Sequence, residues 1–156
     1  MSSTRFGGEL NTTRGQIVTI LWRLTGEPGA SSRCPFNDVS SRQYYYDAVC
    51  WAYDAGVVDG FDAHTFKPDQ NVTREQLAAI LYRYAEYMNL STGGSAYLGK
   101  YNDENRIANW AYDAMAWANY HGIINGTSAT RISPKGYATR AQIAAMLHRF
   151  AVEFGA

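Results

Sequence analysis

Apolar residues recur with helical spacing three times along the chain, each time directly after the same four-residue phrase. Thr13-Arg14-Gly15-Gln16 leads into Ile17, Ile20, Leu21 and Leu24. Thr73-Arg74-Glu75-Gln76 leads into Leu77, Ile80, Leu81 and Tyr84. Thr139-Arg140-Ala141-Gln142 leads into Ile143, Met146, Leu147 and Phe150. Positions i, i+3, i+4 and i+7 form one buried stripe of a helix. Thr followed three residues later by Gln is a capping box, in which each side chain bonds the backbone N–H of the other. The pattern predicts helices over residues 13–25, 73–89 and 139–154. A second Arg follows nine positions after the first in each copy, as Arg23, Arg83 and Arg149. Matches of this length in three places are an internal repeat.

Between the capped helices lies a different pattern, dominated by small apolar and aromatic residues. Ala48, Val49, Ala52 and Ala55 make the apolar face of a helix predicted over 41–55, and Gly56 is placed to be its left-handed cap. The stretch from Trp110 to Ala118 matches that from Tyr44 to Ala52, and predicts a helix over 109–121. Gly122, Gly126 and Pro134 follow Gly56, Gly60 and Pro68 at a constant offset of sixty-six. Residues 26–35 and 91–99 are rich in Gly, Ser and Pro and serve as connectors. The repeats therefore divide the chain into 1–30, 31–91 and 92–156, each full unit being helix, structured loop and capped helix. The first lacks its opening helix, although Phe6-Gly7-Gly8-Glu9 aligns with the loop at Phe66. A half-repeat suggests a cut boundary and an uncovered apolar flank. A compensating contact is expected: a homodimer, a swapped helix or the rest of a parent protein.

Composition narrows the function classes. At 156 residues the chain can bury one sizeable core. Its formal net charge is zero, so no global field attracts nucleic acid or an anionic membrane surface. No stretch is long enough to span a bilayer, and residues 1–6 lack the apolar core of a signal peptide. The chain is then either cytosolic or a piece of a longer secreted protein, and the half-repeat favours the second. Lysines are few (Lys67, Lys100, Lys135), and the basic side chains are mainly Arg, suited to bidentate recognition of carboxylate or phosphate.

The ordered set of motifs resembles the S-layer homology domain family over nearly the whole chain, as about two and a half of its usual three repeats. Repeat two carries it from Phe36-Asn37-Asp38-Val39 through Trp51-Ala52 and Gly56-Val57-Val58-Asp59-Gly60 to Phe66-Lys67-Pro68 and Val72-Thr73-Arg74-Glu75-Gln76. Repeat three carries Trp110-Ala111, Gly122-Ile123-Ile124-Asn125-Gly126 and Thr139-Arg140-Ala141-Gln142. The resemblance implies an all-α fold, with helix–loop–helix repeats in a pseudo-threefold arrangement around a central three-helix bundle. It implies a non-catalytic, extracellular role: anchoring a larger exported protein to the bacterial cell wall. The implied ligand is a secondary cell-wall polysaccharide, often bearing a pyruvate ketal, bound in grooves between neighbouring repeats. Family members usually have Glu as the fourth residue of the Thr-Arg phrase. All three copies here have Gln, which keeps the cap and removes one negative charge per groove.

The residues themselves leave two explanations for Arg14, Arg74 and Arg140. A cation at the first helical position opposes the macrodipole by about 0.3–1 kcal/mol. Either the Arg and free helix-start N–H groups converge on a ligand carboxylate, or the Arg forms an internal salt bridge to Asp38 or Asp103. The two are compatible, because a ligand can share the Arg with the Asp. Arg23, Arg83 and Arg149 are expected to be structural or solvated. Tyr44 and Trp110, at helix starts, are candidates for stacking on sugar faces, whereas Trp51 and Trp117 are expected in the core or a groove wall. Gly60 and Gly126 serve the turn, with backbone approach to a ligand as the alternative. Cys34 and Cys50 occur together in repeat two and are both missing from repeat three, so they either pair as a disulfide or remain two thiols. No metal-ligand spacing, cofactor motif or nucleophile–base pair stands out. The competing function is a helical-repeat module that docks another polypeptide.

Overall fold

The computed structural model describes residues 10–30 and 33–155. Their regular structure is helical: α1 (Arg14–Leu24), α2 (Tyr46–Asp54), α3 (Arg74–Tyr87), α4 (Asn109–Tyr120) and α5 (Arg140–Phe154), with a 3-10 turn at Glu104–Arg106. Among the described residues there is no strand, only isolated bridges pairing Asn11 with Thr139, Thr13 with Asn71 and Thr73 with Tyr137. The all-helical expectation is met. The loop expected at Phe6 lies outside the described residues.

All three capping boxes are formed. The Thr13, Thr73 and Thr139 hydroxyls accept the N–H of Gln16, Gln76 and Gln142 at 3.1, 3.2 and 3.2 Å. The three Gln carbonyl oxygens accept the Thr N–H at 2.9, 3.0 and 2.9 Å. The helix expected over 41–55 starts later, at Tyr46. Residues 40–46 instead make successive tight turns, Gln43 N–H to Ser40 O at 3.0 Å and Tyr46 N–H to Gln43 O at 3.1 Å. The Ser40 hydroxyl accepts the Arg42 N–H at 3.2 Å, a local bond that competes with helix. Gly56 follows α2 with φ +78°, as a left-handed cap requires.

The chain forms two compact units, 12–71 and 72–155, the second joined by residues 10 and 11. In the first, α1 packs on α2; in the second, α3 packs on α4. Each compact unit thus combines the capped helix of one sequence repeat with the opening helix of the next. The reason is steric. The bulky stripe of a capped helix (Ile17, Val18 and Leu21, or Leu77, Ile80 and Leu81) is buried against the small face of its partner, Ala48, Val49 and Ala52 or Ala111, Ala114 and Ala118. Trp51 and Trp117 are both core residues, 2 % and 1 % exposed. Leu24, expected in the stripe, is exposed because α1 ends there.

In the unit 72–155, α5 adds its own apolar stripe. Phe150 meets Tyr84 at 5.8 Å between ring centroids, and Phe154 stacks on Trp117 at 6.0 Å. His121, at the end of α4, joins Glu153 of α5 at 2.6 Å and the Gly93 carbonyl at 2.8 Å. Substituting Thr139 by Ala should lower the free energy of unfolding by about 1 kcal/mol, while Thr139→Ser should leave it nearly unchanged. Urea denaturation of the two variants checks this.

Candidate functional site

Twice along the chain, one loop residue is gripped at each end of its backbone. Asp38 accepts the N–H groups of Phe66 and Lys67 on its two oxygens at 2.9 and 2.8 Å. Asp103 does the same for Ile132 and Ser133, both at 2.9 Å. From the other side, Arg14 donates its Nε–H to the Phe66 carbonyl at 2.8 Å, and Arg74 to the Ile132 carbonyl at 3.0 Å. The Arg14 guanidinium also lies 4.6 Å from the centroid of the Phe66 ring. Lys67 and Ser133 have φ of +61° and +52°, a left-handed conformation that side chains disfavour. The two-pronged carboxylate holds them there.

This geometry separates the two explanations for the Arg. Asp38 and Asp103 spend their oxygens on backbone N–H groups, so they position the loop that the Arg grips rather than pairing with the Arg as a simple salt bridge. The helix-start N–H groups, expected to be free for an anion, are also taken. Arg14 and Gly15 donate to Gln70 and Pro68 carbonyls at 2.9 and 2.8 Å. Arg74 and Glu75 donate to Gly136 and Pro134 at 2.9 and 3.0 Å, and Arg140 donates to Leu10 at 2.9 Å. At α1 and α3 the first-turn N–H groups are therefore all committed within the protein.

The Arg side chains also differ. Arg14 and Arg74 are buried, 8 % and 4 % exposed, whereas Arg140 is exposed. Burial pushes the Arg14 and Arg74 guanidiniums below the ordinary arginine range. Nearby Asp38 opposes this at Arg14. At Arg74, Tyr101 and Asp103 oppose it while the like charge of Arg149 reinforces it. Glu75, which had no assigned role, is 3 % exposed. It accepts the Ala108 N–H at 2.9 Å and pairs with Lys135 at 2.6 Å, fixing the residue before α4.

Within the unit 72–155, a groove of about 280 Å³ is lined by Arg74, Asn125, Gly126, Thr127, Gln142, Ala145, Met146 and Arg149. Two arginines line it and, among the described residues, no carboxylate does. Gln142 has committed its carbonyl oxygen to the cap, so its NH2 group is the donor it has left. Arg74 also donates to the Asn125 carbonyl, which ties the groove loop to α3. Gly126 belongs to this loop for a steric reason: a Cβ there would lie 2.8 Å from the Arg131 carbonyl oxygen. Gly60 is the matching case, where a Cβ would lie 2.6 Å from the Asp62 carbonyl oxygen.

Of the expected site residues, Arg74 and Gly126 line this groove, and Asp103 stands behind it as the loop clamp. Arg140 and Trp110 are not among its lining residues, and Trp110 is 63 % exposed. Arg14, Asp38, Tyr44 and Gly60 belong to the unit 12–71. Arg149, expected to be structural or solvated, is exposed, donates to the Ile123 carbonyl at 3.4 Å and also lines this groove. Its signal was present in the spacing: Gln142, Ala145, Met146 and Arg149 share one helix face.

The motif of the S-layer homology domain matches residues 35–78 and 100–144, more than half of the chain. The chain belongs to the S-layer homology domain family. Among its relatives, exoglucanase XynX of Acetivibrio thermocellus is 30 % identical over 148 residues, covering 95 % of this chain and 14 % of that protein. An endoglucanase of Bacillus sp. (strain KSM-635) is 32 % identical over 146 residues, 94 % of this chain and 15 % of the relative. The cellulosome-anchoring protein of Acetivibrio thermocellus is 24 % identical over 148 residues, 92 % of this chain and 33 % of the relative. The chain thus spans a third or less of the length of each. Among the described residues, no helix is long and apolar enough to cross a membrane.

The clamp makes stability depend on pH in a definite direction. Burial by itself would raise the Asp103 carboxyl, but the N–H groups of Ile132 and Ser133 outweigh it and hold the group below the ordinary 3.8. A depressed carboxyl contributes its full stability above the unfolded value and loses it as pH falls through the folded one. Thermal unfolding from pH 7 to 2 should therefore show a steep acid limb below about pH 4. Asp103→Asn should flatten that limb and lower stability at pH 7 by about 1–3 kcal/mol, since one acceptor becomes a donor facing an N–H.

Proposed function

We propose that the chain is a non-catalytic cell-wall anchoring module whose groove in residues 72–155 docks acidic groups of a secondary cell-wall polysaccharide. The anionic group is a carboxylate of the pyruvate-ketal type. The observation that carries this reading is the pair Arg74 and Arg149 on one groove with no lining carboxylate among the described residues. Arg74 is fixed by its bonds to the Ile132 and Asn125 carbonyls and presents a preorganised charge. Arg149, exposed on α5, supplies the second. The amide of Gln142 and the hydroxyl of Thr127 are suited to sugar hydroxyls.

Two lines support anchoring over catalysis. Relatives include a protein named for cellulosome anchoring and a surface-layer protein of Lysinibacillus sphaericus, 32 % identical over 72 % of this chain. The glucanases match it over only 14 % and 15 % of their own lengths, too small a share to carry their named activities. The chain then acts as the cell-surface tether of a larger exported protein.

A pull-down with bacterial wall sacculi, before and after acid removal of the non-peptidoglycan polymer, tests the reading. Binding should be present before stripping and lost after it. Binding that survives stripping points to peptidoglycan or a protein partner and overturns the polysaccharide assignment. Arg149→Ala should weaken binding by about tenfold or more and shift the melting temperature little, because the side chain is exposed and its one bond, to the Ile123 carbonyl, is long at 3.4 Å. Gln142→Glu should keep the capping box and weaken binding as well, by placing a carboxylate beside the two guanidiniums. Full affinity in both variants rules out this groove.

A further inference from the structure

Cys34 lies in the connector after α1 and Cys50 in the middle of α2, yet both line one cavity of about 350 Å³ in the unit 12–71, beside Trp22, Pro28, Arg33 and Tyr46. Cys50 is buried and Cys34 is half-buried. Cys34 and Tyr46, the latter one turn earlier on α2, are the neighbours that perturb the Cys50 thiol, and all three line this cavity. Trp22 donates its indole N–H to the Pro28 carbonyl at 2.9 Å, so the connector is held against the end of α1 where it enters the cavity. Among the described residues, no third Cys, His, Asp or Glu joins them to make a metal site.

We propose that Cys34 and Cys50 form an intrachain disulfide once the chain is in an oxidising environment, tying the connector to α2. The inference stands on the unit 12–71 and is independent of the groove in residues 72–155. Burial and the hydrogen bond with Cys34 push the Cys50 thiol up to about 12, so the more accessible Cys34 is the first nucleophile. Its thiolate attacks an external disulfide, such as glutathione disulfide, and forms a mixed disulfide while expelling one thiolate. Cys50 sulfur then attacks the Cys34 sulfur, and the second external thiolate leaves with the Cys50 proton. Two protein thiols become one disulfide, and one external disulfide becomes two thiols.

The test uses the full chain, first reduced and then equilibrated with reduced and oxidised glutathione. Remaining thiols are alkylated under denaturing conditions and the protein is digested without reductant. A peptide pair linked through Cys34 and Cys50, with no alkylated cysteine, is the expected result. The oxidised chain should melt roughly 6–12 °C above the reduced one, and Cys34→Ser should abolish that difference. Two alkylated thiols after oxidation, or disulfide-linked dimers in place of the internal link, would overturn the proposal. Peptide mapping of the unsubstituted chain decides the matter even if the variant folds poorly.

Discussion

The structure depends on a reciprocal grip around one loop peptide per repeat. A buried Arg needs acceptors, a buried carboxylate needs donors, and a left-handed non-glycine residue needs something to hold it. At Phe66 and Lys67, and again at Ile132 and Ser133, each of these demands is met by the others. The mutual dependence makes the unit sensitive: removing one partner leaves a buried donor or acceptor without its bond, a larger penalty than the net gain of making it. The same geometry accounts for Arg14 and Arg74 at the first helical position. The unfavourable field of the helix terminus is offset by loop carbonyls bonded to the side chain, while other loop carbonyls take the helix-start N–H groups.

The grip also prepares the groove of residues 72–155. Arg74 is held at the loop it supports, so its charge is fixed before any ligand arrives. The groove loop needs Gly126 because the chain folds back too tightly for a side chain there. Gln142 serves the cap with its oxygen and also lines the groove. A Glu in its place would keep the cap and add a negative charge to a groove lined by the buried Arg74 and the exposed Arg149. Scaffold and site share the same residues, so a substitution read only as a loss of binding must first be checked as a loss of stability.

The compact units are offset by half a repeat from the sequence repeats. A capped helix with bulky residues on its stripe needs a partner with a small-residue face, and within each unit that partner is the helix that follows it. The structural joints therefore fall near Thr12 and Val72, directly before capping residues, and not at the Gly- and Ser-rich connectors that look like boundaries in the sequence. A connector rich in flexible residues marks where the chain turns, and packing decides which helices belong together.

The sequence by itself determined the all-helical character, the three capped helices and which helix faces are bulky and which are small. These follow from interactions within a few residues or from periodicity, both written directly in the order of side chains. Membership of the family was legible for the same reason, since its motifs are local phrases at fixed offsets. Only the tertiary structure decided which polar groups are spent. It assigned the oxygens of Asp38 and Asp103 to N–H groups about thirty residues away, gave Glu75 its buried role against Ala108 and Lys135, and brought Arg149 to the groove opened by Arg74. Such pairings depend on loop paths and on left-handed turns at Lys67 and Ser133, residue types that give no sign of that conformation in sequence. Local physics chose the elements, and the satisfaction of buried polar groups across distant segments chose the site.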